Sequence, residues 1–150
     1  RALAAALSVL VGAVLMTLVM QAAKRGLTGL EWGAGVPGTL GGAVRGNAGS
    51  MGSDMTAILA SAEIITRHGE KKTLTKEECD FSYRNSSMKK NKDTVLRATM
   101  ELSVGKAEEI QKTVKENLSK KPDNVVFGLL DFLHFLHLNL SCLFSLDCAL

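Results

Sequence analysis

The hydrophobic pattern begins with an uncharged run, Ala2 to Ala23. As a helix it would rise about 33 Å, enough to cross a bilayer, and Lys24 and Arg25 follow as at a cytoplasmic boundary. Seven alanines, Ser8, Gly12, Thr17 and Gln21 dilute the run. Within it Leu15, Leu18, Val19 and Ala22 fall at i, i+3, i+4 and i+7, the stripe of an amphipathic helix. The pattern favours an apolar N-terminal helix over residues 1–25, buried in a soluble domain rather than spanning a membrane. Gly26 is its expected stop.

Downstream the period changes. Gly38–Val44 reads as a short helix, after which Gly46–Gly52 turns the chain. Ile58–Thr66, rich in Ile, Ala and Thr, reads as a strand; Arg67–His68–Gly69–Glu70 is a turn, and Lys71–Leu74 returns as a hairpin. Thr75 with Glu78 three residues later makes a capping box. Met88–Asp93 (MKKNKD) is expected to be a polar loop in which Lys89, Lys90 and Lys92 are solvated. Thr94–Val104 alternates through Val95, Leu96, Ala98, Met100, Leu102 and Val104, a strand with one buried face. Lys106–Lys121 is an amphipathic helix with Ala107, Ile110, Val114 and Leu118 on one side, ended by Pro122. Residues 122–150 then hold four of the five phenylalanines, two of the three cysteines and almost no charge.

The densest stretch chemically is Gly26–Gly52, GLTGLEWGAGVPGTLGGAVRGNAGSMG, with ten of the chain's 14 glycines. Leu27, Leu30, Trp32, Val36, Leu40 and Val44 are interleaved with them, which a flexible linker would lack. A packed, side-chain-poor backbone brings many N–H groups together, and such surfaces suit phosphate oxygens. At 150 residues the chain is at most one domain, 46% hydrophobic and 22% charged. Its net charge of +3 is mild, and the basic residues are mixed with acids. This argues against a nucleic-acid-binding domain. Cys79, Cys142 and Cys148 are odd in number and lack CxxC spacing, consistent with reduced thiols in a cytosolic setting. The chain starts with Arg1 and is expected to be a fragment.

The glycine-rich run, together with Cys79–Asp80–Phe81–Ser82–Tyr83–Arg84–Asn85–Ser86, resembles the UDP-N-acetylenolpyruvoylglucosamine reductase family, the second run matching that family's YRxS motif. The resemblance covers roughly Val11 to Lys121. It implies an α+β fold, a partial FAD-binding domain of the vanillyl-alcohol-oxidase (PCMH) type over residues 26–121, between apolar helical N- and C-terminal segments. It also puts a helix at about Leu15–Arg25. The tail, residues 122–150, does not resemble the family.

The implied activity is reduction of a UDP-sugar enolpyruvate in peptidoglycan precursor synthesis, with FAD and NADPH as cofactors, in the cytoplasm. Gly35, Val36, Pro37, Gly38 and Thr39 would bring main-chain N–H groups against FAD, and Gly41, Gly42, Asn47, Ala48 and Gly49 would complete the wall near the flavin. Arg84 is the implied catalytic residue, holding the substrate carboxylate and the charge that builds on it; Tyr83 and Ser86 would support the substrate pocket. On composition alone Arg84 would read as a surface arginine, and the glycines as packing devices. The family's (S/A)GSxFK segment, which carries its proton-donating serine, is absent; Ser141 and Ser145 lack its glycine and lysine. Asp131, His134 and His137 could share a helical face, but an apolar helix with scattered polar residues is the better reading, and no metal site is expected. Cys79 reads as a packing residue. The fragment is expected to bind FAD poorly and turn over little. The alternative is a non-catalytic remnant held in a membrane through its apolar ends.

Overall fold

The structure, a computed structural model, describes residues 4–10 and 12–120. Its organising element is a long strand, β7 (Thr94–Val104), which pairs antiparallel on both sides. One neighbour is β1 (Ala4–Leu10), in register from Ala4 opposite Ser103 to Leu10 opposite Arg97. The other is β5 (Leu59–Ile65), which pairs in turn with β6 (Lys71–Thr75), giving the order β1-β7-β5-β6. A two-residue strand, β2 (Leu27–Thr28), pairs with Val104 and Ser103 at the end of β7.

The single helix expected over residues 1–25 is corrected by this pairing. Ala4–Leu10 is alanine-rich and helix-prone alone, yet seven consecutive positions find partners on β7, and tertiary pairing outweighs local propensity. The chain then turns at Gly12, where the Ala13 N–H donates to the Leu10 carbonyl at 3.2 Å. Helix α1 (Leu15–Lys24) occupies the second half of the run, with Leu15, Leu18, Val19 and Ala22 buried as the period required. Ten helical residues reach about 15 Å. Among the described residues no helix is long and apolar enough to cross a membrane.

Helix α2 (Leu40–Arg45) lies against β7, and a small hairpin of β3 (Gly49–Ser50) and β4 (Ser53–Asp54) follows it. The sequence showed only a turn there. Met88–Asp93, expected as a loop, is largely helical: α3 (Ser87–Asn91) is capped by the Ser86 hydroxyl, which accepts from the Lys89 N–H at 3.2 Å. Met88, buried completely, pins this helix to the core, and Lys92 ends it in the left-handed region at φ 62°. An apolar residue two positions after a serine cap outweighs the lysines, which stay on the exposed side. The capping box forms as expected: the Thr75 N–H donates to Glu78 Oε2 at 2.8 Å, and the Glu78 N–H to Thr75 Oγ1 at 3.3 Å.

Along β7, Ala98, Met100 and Leu102 point into the core, and Val95 joins them out of phase. The register shift between Glu63 and Ile64 on the neighbouring strand accounts for the change of face. Val104 is exposed where the alternation placed it inside, because β7 has by then run past β5. Helix α4 (Ala107–Ser119) packs on α1, burying Ile110 and Val114. It also buries Asn117, whose Nδ2 donates to the Glu31 carbonyl at 3.0 Å. On the outer strand β6, Lys71 pairs with Glu63 at 3.1 Å and Lys72 with Glu70 at 3.2 Å. Residues 121–150, with Pro122, the Asp131–His134–His137 group, Ser141 and Ser145, lie outside the described residues.

Gly26 closes α1 at φ +68°, and a Cβ there would stand 2.8 Å from the Gly105 carbonyl oxygen, whose own N–H donates to the Gly26 carbonyl at 2.8 Å. Gly26→Ala therefore combines a disfavoured backbone angle with a collision against main chain. It is expected to lower stability by about 1–3 kcal/mol, read as a lower urea midpoint at unchanged slope; an unshifted midpoint would refute the assignment of this junction.

Candidate active site

The site grows from two short segments that meet. The first begins at Thr39, whose hydroxyl caps α2 by accepting from the Gly42 N–H at 3.3 Å. Helix α2 stops at Gly46, and Asn47 takes a left-handed conformation at φ 42°. This delivers Ala48 and Gly49 into the β3–β4 hairpin. A Cβ on Gly49 would lie 2.6 Å from Asp54 Cβ and 2.8 Å from the Ser53 carbonyl oxygen, so the two strands close only because that atom is missing.

The second segment follows the capping box. Cys79 is buried, Asp80 turns at φ 43°, and Ser82 and Asn85 form an isolated bridge closed by reciprocal N–H to carbonyl bonds of 3.1 Å. Arg84 sits in that turn at φ 54°. Left-handed backbone at an arginine costs about 1–2 kcal/mol, and the neighbouring bonds hold it there. Lys89 Nζ donates to the Arg84 carbonyl at 3.0 Å.

The segments join around a cleft of about 340 Å³ lined by Asn47, Gly49, Gly52, Ser53, Asp54, Ala57, Tyr83 and Arg84. Arg84 Nη2 donates to the Gly49 carbonyl at 3.4 Å, and its guanidinium stands 6.0 Å from the centre of the Tyr83 ring. No carboxylate pairs with Arg84 among the described residues. A guanidinium has five donors, so most remain open to an incoming anion. Tyr83 is 91% exposed beside it.

Of the residues singled out in the sequence, Asn47, Gly49, Tyr83 and Arg84 come together in this cleft. Ser86 stands behind it, 0% exposed, its hydroxyl donating to the Arg45 carbonyl at 2.7 Å while capping α3. Ala48 has both main-chain groups engaged: its N–H donates to Ala43 at 2.8 Å, and its carbonyl accepts from Met55 at 2.9 Å. Gly35, Val36, Pro37, Gly38, Thr39, Gly41 and Gly42 are not among the residues lining the cleft. Gly41 and Gly42 lie within α2, while Gly38 and Thr39 meet the start of α1: the Leu15 N–H donates to the Gly38 carbonyl at 3.0 Å, Thr39 bridges Val14, and the Leu40 N–H donates to the Ala13 carbonyl at 2.9 Å. Gly35 is buried at φ +71°, and the Val36 N–H is engaged by the Gly33 carbonyl. Gly38 and Thr39 are exposed, and open space surrounds the place where a Gly38 Cβ would be. Pro37, Gly38 and Thr39 are all exposed, and of the three only Gly38 presents main chain without a side chain.

The sequence reading missed Gly52, Ser53, Asp54 and Ala57 as cleft residues. The signal for them was the Met51–Gly52 pair, both at positive φ (53° and 81°), which makes the hairpin turn and returns Ser53 and Asp54 to the cleft.

A protein-family profile described as "FAD binding domain" matches residues 4–75. A relative from Pediococcus pentosaceus named UDP-N-acetylenolpyruvoylglucosamine reductase is 44% identical over 115 residues, covering 74% of this chain and 38% of the relative. One of the same name from Anoxybacillus flavithermus is 44% identical over 104 residues, covering 69% of this chain and 34% of the relative. The crystal structure of UDP-N-acetylenolpyruvylglucosamine reductase (MurB) from Thermus caldophilus superposes with a TM-score of 0.64 at 35% identity, covering 69% of this chain and 38% of that one. The chain thus spans under two-fifths of the length of these relatives.

Burial first, then the charges of Glu78 and Glu77, push the Cys79 thiol up from 9.0 to about 11. The folded chain holds this proton to about pH 11, while the unfolded chain releases it near 9.0. The contribution to stability is therefore intact below pH 9 and withdrawn between 9 and 11. Stability profiles of the parent and Cys79→Ala should run parallel below pH 9 and converge above it; parallel profiles to pH 11 would refute the shift.

Proposed function

Because this chain belongs to the UDP-N-acetylenolpyruvoylglucosamine reductase family, as part of its FAD-binding domain, we propose that it carries the flavin-facing and carboxylate-binding half of that enzyme's site. The parent activity is NADPH-dependent reduction of the enolpyruvyl group of a UDP-sugar, in the cytoplasm, on a domain of the vanillyl-alcohol-oxidase (PCMH) type. The observation that carries the proposal is the placement of Arg84 on Gly49, over a cleft floored by the glycine-rich ribbon.

The residues fit the cofactor. The exposed main chain at Gly38 and Thr39 would receive the diphosphate of FAD beside Val36 and Pro37, with Gly35, Gly41 and Gly42 adding no side chain to its path. Asn47, Ala48 and Gly49 would form the wall toward the flavin. FAD, when bound, supplies the redox chemistry between NADPH and the enolpyruvyl double bond.

Everything else falls to the chain itself. Arg84 would take the enolpyruvyl carboxylate through two parallel N–H donors, a geometry lysine cannot copy. Addition to the double bond conjugated with that carboxylate drives electron density onto its oxygens, and a guanidinium already in position stabilises the charge without rearranging. The exposed face of Tyr83 would lie along the substrate, packing against it and shutting out water. Ser86 would act from behind, by fixing the turn.

The membrane-remnant reading gains nothing from the described residues, whose apolar N-terminal run is divided between a strand and a ten-residue helix. Titration with FAD, followed by quenching of flavin fluorescence, is expected to show weak but saturable binding that Arg84→Gln leaves unchanged. Titration with UDP-N-acetylenolpyruvoylglucosamine in the presence of FAD should show Arg84→Gln weakening binding about 10- to 100-fold, the range for a lost bond to a charged group. Failure of the purified chain to take up flavin, or equal substrate affinity in both proteins, would remove the proposal.

A further inference from the structure

The turn that carries Arg84 is attached to the glycine-rich ribbon in an unusual way. No main-chain hydrogen bond joins the two segments among the described residues; three side chains do. Ser86 Oγ donates to the Arg45 carbonyl at 2.7 Å, Asn47 Nδ2 donates to the Ser82 carbonyl at 3.2 Å, and Arg84 Nη2 donates to the Gly49 carbonyl at 3.4 Å. Alternate residues of one segment thus meet alternate residues of the other, 45 with 86, 47 with 82 and 49 with 84.

These three ties differ in kind. Arg84 is the group being positioned, and its bond must yield when an anion arrives. Ser86 holds the flank of the turn that leads into α3. Asn47 holds the entry. The residue is 6% exposed, and its side chain carries four bonds. Besides Ser82 O, Nδ2 reaches Asp54 Oδ2 at 3.4 Å, while Oδ1 accepts from the Thr56 N–H at 3.3 Å and the Thr56 hydroxyl at 3.1 Å. Asparagine is one of the few residues with a side chain that tolerates φ 42°. One amide therefore fastens the ribbon, the segment after β4 and the Arg84 turn to each other.

We infer that Asn47 is a positioning residue: its side-chain amide, and not a contact with flavin, fixes the 82–85 turn so that Arg84 meets the substrate carboxylate in a set orientation. This rests on the functional reading above, and it assigns to the Asn47 side chain a duty separate from any main-chain contact with FAD. The amide is locked on its acceptor side by Thr56 and gives its donors to Ser82 and Asp54. A side chain so held transmits position, because moving Ser82 away would leave a buried N–H without an acceptor.

The test reads the turn without any ligand. Amide hydrogen exchange is measured by NMR on the full chain at Ser82 and Asn85, whose N–H groups close the turn, and at Ala98 and Met100 in β7 as a monitor of global opening. Asn47→Gly keeps the left-handed backbone accessible and deletes the amide. It should raise exchange at Ser82 and Asn85 about 10-fold relative to β7. Thr56→Val, which removes one bond to Oδ1, should raise it less, and not at all in the Asn47→Gly background. Exchange that is unchanged at the turn, or that rises equally in β7, overturns the inference. With UDP-N-acetylenolpyruvoylglucosamine as probe, Asn47→Gly should weaken binding by no more than Arg84→Gln does, and the double variant no further than Arg84→Gln alone; additive losses also overturn it. A parent chain that binds no substrate would sink the functional reading, while the exchange measurement would still decide the role of Asn47.

Discussion

A single missing atom sets the geometry of the site. Where Gly49 would carry a Cβ, Asp54 Cβ stands 2.6 Å away, closer than two carbons can rest without a bond. With hydrogen there instead, β3 and β4 close into a hairpin, Asp54 comes beside Asn47, and the Gly49 carbonyl is left facing Arg84. The strained angles at Asn47, Met51 and Arg84 gather around this closure. Each would be unfavourable in a free peptide. They persist because the bonds at Asn47, the hairpin and the Ser82–Asn85 bridge leave the chain no other path.

The sheet supplies the rigidity behind this. β7 receives partners along both edges, and α2 lies against it, so the ribbon leaves a helix whose own position is fixed. From the other side the Arg84 turn is set by the Thr75–Glu78 capping box and by the buried Cys79 and Met88. Two well-packed supports thus bring a flexible-looking glycine ribbon and an exposed arginine turn to a defined meeting. Among the described residues no carboxylate pairs with that guanidinium.

Much of this could be read from residues in order. The α1 stripe, the β5–β6 hairpin, the capping box, β7 and α4 each follow from local period or local chemistry, and each forms. What could not be read depended on partners far away in sequence. Ala4–Leu10 became a strand because β7, some ninety residues on, offers an edge. Ser86, placed by motif in the substrate pocket, is fully buried, and its hydroxyl serves the Arg45 carbonyl and the start of α3, partners that the motif does not name. The glycine run looked like one surface. It divides at α2 into a bare stretch near the start of α1 and a cleft wall at Asn47–Gly49, because six helical residues between them turn the chain through more than a full circle.

The outer strand β6 has a consequence of its own. Lys71 and Lys72 stand exposed on a strand whose far edge has no neighbour among the described strands. A foreign strand docking there would have to strip water from two ammonium groups and part them from Glu63 and Glu70. That margin of the sheet is guarded against edge-to-edge polymerisation, so β6 blocks one route by which partly unfolded copies could seed aggregates.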